Sequence, residues 1–409
     1  MQAAVLTEMP AVDVRERLVE FVGEMAAELP HVRQRENALV YVRGLIEHGG
    51  RKSLQPTLFR LGEDGARYES LQQFLADSPW DSTVLVRACA ERVAPALGVE
   101  AWVIDDTGIP KDGKHSPGVK RQYSGTLGKI GNCQIAVSVH AAGERGTQPL
   151  NWALYLPQEW CEDAERRRKA KVPDAVVFQT KPQLAAELVE RAASWEIPRA
   201  PVLGDEAYGK NTELRNRLDD ADIEYVLSIN ADAVVYDPDT IFSVPQRRPG
   251  SRGPAPSALV ADREPRQLAE LAAALEDSDF QTLVYRTRGG ERLSSRFAIV
   301  RVIAAHPVDR GRRAPREEWL IIEWPADHDT PSDYWISNLP SDVPPQRLAR
   351  LARRRWTIEL DYRQLKGELG LDHYEGRSYP GFDHHCALVT CAHAFLTLER
   401  MCPKAPRPA

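Results

Sequence analysis

The stretch AWVIDD, residues 101–106, sets the reading of the whole chain. It is short, apolar and β-branched and it stops on two aspartates, the pattern of a buried strand that gives way to a loop. Working back from it, the residues up to 97 follow helical spacing: EFVGEMAAEL (20–29), ENALVYVRGLIEHGG (36–50) and a run from Ser70 to Leu97, with no strand alternation among them. Working forward, QIAVSVHA (134–141) and PLNWALYLP (149–157) are further extended runs. An amphipathic helix around Gln183 to Trp195 follows, then the strand PVLGD (201–205), a helix opening near Asn211 and Thr212, and the strand IEYVLSIN (223–230). Three strands, helix, strand, helix, strand is an α/β layer pattern.

Residues 231–332 interrupt that pattern with the loop PQRRPGSRGPAP (245–256) and the extended segments LVYRTRGGERL, RFAIVRVIAA and EEWLIIEW, with a turn expected at Gly289 and Gly290. After YWISNLP (334–340), Pro344 and Pro345 precede a long helix expected from Gln346 to Leu369, and a second is expected near His384 to Glu399. The expected organisation is therefore a helical domain at 1–97, an α/β core at 98–230, a β-rich insertion at 231–332, the rest of the core at 333–400 and a tail at 401–409.

At 409 residues, with 43% hydrophobic and 27% charged residues, the chain has the makings of a large core and excludes disorder as its main theme. No apolar run reaches the ~18 residues of a membrane helix, and the N-terminus lacks the basic opening of a signal peptide, so a cytoplasmic protein without membrane partners is expected. The six cysteines form no CxxC pair, which argues against a disulfide framework or zinc ribbon. A net charge of −6 excludes a uniformly basic coat, yet there are local basic clusters. Lys111 to Lys129 holds five basic residues and one acid, and Arg347 to Lys366 holds seven and two. Such runs suit phosphate-facing patches on an acidic body.

Three acids stand out by position. Asp105 and Asp106 end one strand and Asp205 ends another, where loops leave side chains accessible over a rigid scaffold. From position alone each reads first as a turn former or helix cap. In RRRWTIELDYRQLKGELG (353–370), Arg355, Glu359 and Lys366 would project at about 0°, 40° and 20° around a helix, beside an apolar stripe of Leu351, Ile358, Tyr362, Leu365 and Leu369. Alone, that stripe also reads as a solvated charged face. Together, two strand-end aspartates and a helical glutamate supply the oxygen ligands that Mg²⁺ prefers, and two such ions would serve phosphodiester chemistry. In GIPKDGKHSPGVKRQYSGTLGKIGNCQ (108–134), the glycines, Lys120 and Arg121 suit a hairpin that approaches phosphates. His384, His385 and His393 lack metal-ligand spacing and read as packing or polar-face residues.

On these residues the chain resembles the insertion-sequence DDE transposases, in the branch with a β-strand insertion between the second Asp and the Glu. That branch carries Tyr, two residues, Arg, three residues, Glu, six residues, Lys; here Arg355, Glu359 and Lys366 match, while the Tyr position holds Ala352. IDDTG and LGDEAYG match the surroundings of its two aspartates, with Asp105 favoured and Asp106 as the alternative. The resemblance spans about 98 to 400.

It implies an RNase H-like mixed sheet flanked by helices, with Asp105, Asp205 and Glu359 as catalytic metal ligands for two Mg²⁺ ions, or Mn²⁺ in their place. Arg355, Lys366, Lys120 and Arg121 are the expected phosphate contacts. Trp319, Trp324 and Trp335 read as core, since Trp is highly buried on average, and Trp335, or its neighbour Tyr334, is also the positional match to an aromatic that holds a flipped base in relatives of that branch. The implied activity is binding of terminal inverted repeats through the N-terminal helices, metal-dependent cleavage and joining of 3′-OH ends to target DNA, by a homodimer on double-stranded DNA. A domesticated non-catalytic DNA-binding protein, or a nuclease without strand transfer, would share the fold.

Overall fold

The structure, a computed structural model, describes residues 11–63, 65–125, 128–246, 258–286, 292–305 and 315–402. Most of the loop PQRRPGSRGPAP, the turn at Gly289 and Gly290 and the tail beyond Cys402 lie outside the described residues. The chain forms two compact units, residues 1–199 with 357–409, and residues 200–356.

The first unit opens with α1 (Ala11–Met25), α2 (Val32–Ile46), α3 (Leu54–Leu61), α4 (Gly65–Ala76) and α5 (Ser82–Leu97). Asp81 caps α5 by accepting the amide of Thr83 at 2.8 Å, and Gly98, at φ 64°, ends the helix in a left-handed turn. That turn is the change of period seen in the sequence, because the strand β1 (Val99–Pro110) starts at once. With β2 (Lys120–Ser124), β3 (Lys129–Gly143) and β4 (Gly146–Tyr155) it pairs antiparallel around β3, with β1 along one side of β3 and β4 and β2 end to end along the other. From Cys133 to Gly143 every residue of β3 is buried, so both faces of this sheet are covered. The short helices α6 (Gln158–Glu162) and α7 (Ala164–Lys169) follow, then α8 (Lys181–Ala193), which packs on the sheet and opens with a capping box between Thr180 and Gln183.

The second unit pairs β5 (Val202–Gly204) parallel to a later strand across α9 (Glu206–Gly209) and α10 (Thr212–Asp220). That partner is β6 (Tyr225–Ile229), and the segment expected to be β-rich follows: β7 (Val234–Tyr236), β8 (Phe242–Ser243), β9 (Val260–Ala261), β10 (Arg266–Gln267), the helix α11 (Leu268–Ala274), β11 (Phe280–Arg286), β12 (Arg292–Ala304) and β13 (Glu317–Glu323). The exit strand β14 (Asp333–Ser337) lies antiparallel between β13 and β6. The unit closes with α12 (Pro345–Ala352).

The chain re-enters the first unit as α13 (Thr357–Gly367) and α14 (Tyr379–Met401). One helix was expected from Gln346 to Leu369; residues 353–356 instead form a turn. Its cause is tertiary: the Arg353 guanidinium lies 2.6 Å from the buried Glu323 and 3.2 Å from Asp333, and binding both overrides helical propensity. Helix α14 runs through the first unit with α2, α4, α5 and β4 packed on it, so the N-terminal helices share one core with the strands. Its histidines pack as polar core groups: His384 faces the carbonyls of Leu75 and Trp80, and His385 the Tyr41 hydroxyl and the carbonyls of Gly370 and Leu371.

Candidate functional site

Alternation along β1 sends neighbouring side chains to opposite faces. Asp105 is paired across the strands with Ser138, and Ser138 Oγ stands 2.7 Å from the Tyr362 hydroxyl of α13. Asp105 therefore shares a face with α13. Asp106 is on the other face, where both its oxygens accept from Lys181 Nζ of α8 at 2.9 and 3.0 Å. The two aspartates left open by the sequence are thus separated: Asp105 faces the helix that carries Glu359, and Asp106 is held in an ion pair. Asp105 is half-buried, with Oδ1 accepting the amide of Asp106 at 2.7 Å.

Helix α13 buries Thr357, Ile358, Asp361, Tyr362 and Leu365 and exposes Glu359 in its first turn, where a carboxylate suits the positive end of the helix dipole. Burial, and next the charge of Asp105, push the Tyr362 hydroxyl well above the ordinary tyrosine range. Lys366 lies two turns beyond Glu359 on the same stripe, and its Nζ donates to the carbonyl of Gly108 on β1 at 2.8 Å. Burial lowers its pKa to about 8, so this side chain is no plain solvated lysine. Arg355 is not on the stripe: it stands in the turn before α13.

Asp205 follows β5 in the second unit and caps α9, accepting the amide of Ala207 at 2.9 Å. The cap reading is thus observed, and it leaves the carboxylate half-exposed. Lys120 is paired with Glu159 at 2.9 Å, while Arg121 is exposed on β2. Trp335 is 5% exposed and Tyr334 equally buried, with the Arg353 guanidinium 5.7 Å from the Trp335 ring. A base has no open face of Trp335 to stack on, so the aromatic expected to hold a flipped base is core here. Trp319 and Trp324 are half-buried and donate to the carbonyls of Pro340 and His328.

Carboxylates are the hard oxygen donors that Mg²⁺ takes, and Asp105 and Glu359 fit it by donor type and by accessibility. Among the described residues no group of three or more His, Cys, Asp or Glu is gathered closely enough to hold a metal ion. The ligand set Asp105, Asp205 and Glu359 therefore rests on the family pattern and not on geometry.

Sequence reasoning missed a buried polar chain on the Asp105 face: Asp361, Thr147, His140, Ser138 and the Tyr362 hydroxyl. A signal was present, since Asp361 falls between Ile358 and Leu365 on the apolar stripe and His140 interrupts an apolar strand.

A family model described as DDE superfamily endonuclease matches residues 24–292, which contain Asp105 and Asp205 and end before α13. A probable transposase for insertion sequence element IS701 from Microchaete diplosiphon is 26% identical over 373 residues, 89% of this chain and 84% of that protein. A cryo-EM structure of the piggyBac transposase synaptic complex with hairpin DNA covers 95% of this chain and 73% of its own at 10% identity, with a TM-score of 0.39.

Proposed function

This chain belongs to the DDE superfamily of endonucleases, alongside insertion-sequence transposases, and from that premise we propose that it binds the terminal inverted repeats of its own element, cleaves there and joins the freed 3′-OH to target DNA. The observation that carries the reading is the family match over 24–292, with both strand-end aspartates inside it.

Asp105, Asp205 and Glu359 are the carboxylates that would hold two Mg²⁺ ions, or Mn²⁺. Bound there, the metals would activate a nucleophile and stabilise a leaving oxygen. In the first step a water oxygen bonds to phosphorus as the bond to the 3′-oxygen breaks, leaving a 5′-phosphate and a free 3′-OH; in the second that 3′-oxygen loses its proton and bonds to a target phosphorus as the target's own bond from phosphorus to its 3′-oxygen breaks, releasing a target 3′-OH. Both are in-line displacements, and the protein's share is to hold nucleophile, phosphorus and leaving oxygen aligned. Arg355, Lys366, Lys120 and Arg121 are our phosphate contacts. Lys366 is pre-positioned by its bond to Gly108, and Lys120 must give up Glu159 to serve.

We read β1, β3 and β4 as the opening strands of an RNase H-like core and 231–332 as its insertion. The helices of 1–97 read the element ends, and two copies act on double-stranded DNA. No helix among the described residues is long and apolar enough to cross a membrane.

The test is incubation of the protein and its Asp105→Asn, Asp205→Asn and Glu359→Gln variants with Mg²⁺ and the DNA flanking its own gene. Cleaved and joined products from the parent only, with DNA binding kept in all four, is the expected result. Cleavage without joined products would make the protein a nuclease, and binding without either would make it a non-catalytic DNA-binding protein.

A further inference from the structure

On the Asp105 face the sheet holds polar groups that apolar packing does not require. Asp361 and His140 have side chains 1% exposed, and Asp361 Oδ2 lies 3.1 Å from His140 Nδ1 while Oδ1 accepts from the Thr147 hydroxyl. His140 Nε2 is 3.0 Å from Ser138 Oγ, which is 2.7 Å from the Tyr362 hydroxyl. The His140 ring also meets the Tyr362 ring edge to face at 5.5 Å. The chain leaves α13 at Asp361, crosses β3 and returns to α13 at the next residue.

A carboxylate taken from water is costly unless it is fully partnered, and hydrophobic residues of similar volume commonly serve a core as well or better. The reward for such a chain is a single register. Thr147 Oγ1 donates to one oxygen of Asp361 and His140 Nδ1 stands 3.1 Å from the other, so both acceptor oxygens of the carboxylate are engaged. Nδ1 of His140 is therefore the donor. Whichever way the two hydroxyls turn, every oxygen in the chain has a partner.

Both ends of the chain bear on the candidate carboxylates. Asp361 is two residues from Glu359, and Ser138 is the cross-strand partner of Asp105. We propose that Asp361, His140, Ser138 and Tyr362 are positioning residues: they lock α13 in one register on β3 and so fix Glu359 relative to Asp105, an inference that rests on the catalytic reading of those two. Asp361, in the midst of the Glu helix, is then an anchor and not a metal ligand.

The experiment uses the full-length protein. Tyr362→Phe keeps the ring and removes the hydroxyl; Ser138→Ala breaks the same link, and Ser138→Thr restores its oxygen. Cleavage at saturating DNA, the DNA concentration for half-rate, melting temperature and Mn²⁺ binding by paramagnetic resonance are measured. Expected are a cleavage rate lowered between about tenfold and a hundredfold in Tyr362→Phe and Ser138→Ala, half-rate DNA concentration within about twofold, weaker Mn²⁺ binding, and recovery in Ser138→Thr. Parental cleavage and Mn²⁺ binding in both lesions would overturn the proposal. So would losses that follow melting temperature alone and are not relieved by threonine. Asp105→Asn separates the two levels: cleavage retained in that variant removes the catalytic reading, whereas cleavage lost there but intact in Tyr362→Phe removes only the positioning chain.

Discussion

Asp105 and Asp106 are consecutive in sequence and on opposite faces of one sheet: Asp106 is bound by Lys181 at 2.9 Å, and Asp105 lies across from Ser138 beside α13. Asp105→Asn should abolish cleavage. Asp106→Asn should leave cleavage intact and lower stability by about 1 kcal/mol or less, because the Lys181 and Asp106 side chains are 32% and 21% exposed and water screens the pair. Parallel cleavage assays and urea unfolding check the pair of outcomes.

The β2–β3 hairpin offers a second test. Arg121 is exposed, and Tyr123 and Ile130, 65% and 59% exposed, sit opposite each other beside Lys129. Neutralising Arg121 or Lys129 should lower the salt slope of DNA binding by about 0.9 for each phosphate that the protein no longer neutralises. Lys120→Gln should lower it less, since Lys120 already neutralises Glu159. Binding isotherms at several salt concentrations read this directly.

Trp335 now belongs to stability. Its burial between β13 and β6 predicts that Trp335→Ala loses about 3–5 kcal/mol, with Trp335→Phe milder. A Trp335→Ala protein with near-parental unfolding free energy that nicked DNA but stalled before double-strand release would restore the stacking role.

The sequence showed what local chemistry decides. Gly98 ends α5 and β1 begins at Val99 because a left-handed turn needs glycine there, so the change of period fell where it was read. Glu359 and Lys366 share a stripe because both lie on α13. Arg355 left that stripe because Glu323 and Asp333 bind Arg353, contacts set by strands 30 and 20 residues upstream. The bond between His140 and Asp361 joins residues 221 apart, a pairing no local period encodes.

His385 makes stability depend on acid. Its Nδ1 accepts from the Tyr41 hydroxyl at 2.8 Å and its Nε2 faces two carbonyls at 3.2 Å, so the neutral ring is satisfied, and burial lowers its pKa to about 3. The unfolded chain takes up this proton near pH ~6.5 and the folded one does not, so stability present above that value is lost as pH falls towards about 3. The slope from one such group is up to about 1.4 kcal/mol per pH unit. His385→Gln should be less stable at pH 7, having lost the stack on Tyr374, yet fall less steeply between pH 6 and 4 by about one proton. Urea unfolding across that range measures both.

The end recognition proposed for residues 1–97 cannot be isolated by truncation, and the packing of those helices is the reason. Helix α5 buries Leu85, Val86, Val93 and Leu97, and at about 1.5–3 kcal/mol for each such side chain their loss alone removes about 6–12 kcal/mol, close to the whole stability of an ordinary domain. More goes with it: Phe21 packs on Phe395 at 5.7 Å, Tyr41 bonds His385, the Leu97 carbonyl accepts from Arg145 at 3.1 Å, and α14 is stripped along its length. A fragment beginning at residue 98 should therefore be insoluble or unfolded by circular dichroism. Recognition has to be tested on the intact chain, by replacing exposed residues of α1 to α4 and competing end duplex against scrambled duplex at one salt concentration. Loss of preference without loss of total affinity is the expected outcome, since phosphate contacts elsewhere position DNA without reading its sequence. A folded, soluble fragment from residue 98 that still preferred the ends would show that recognition is housed elsewhere and that the N-terminal helices serve the core alone.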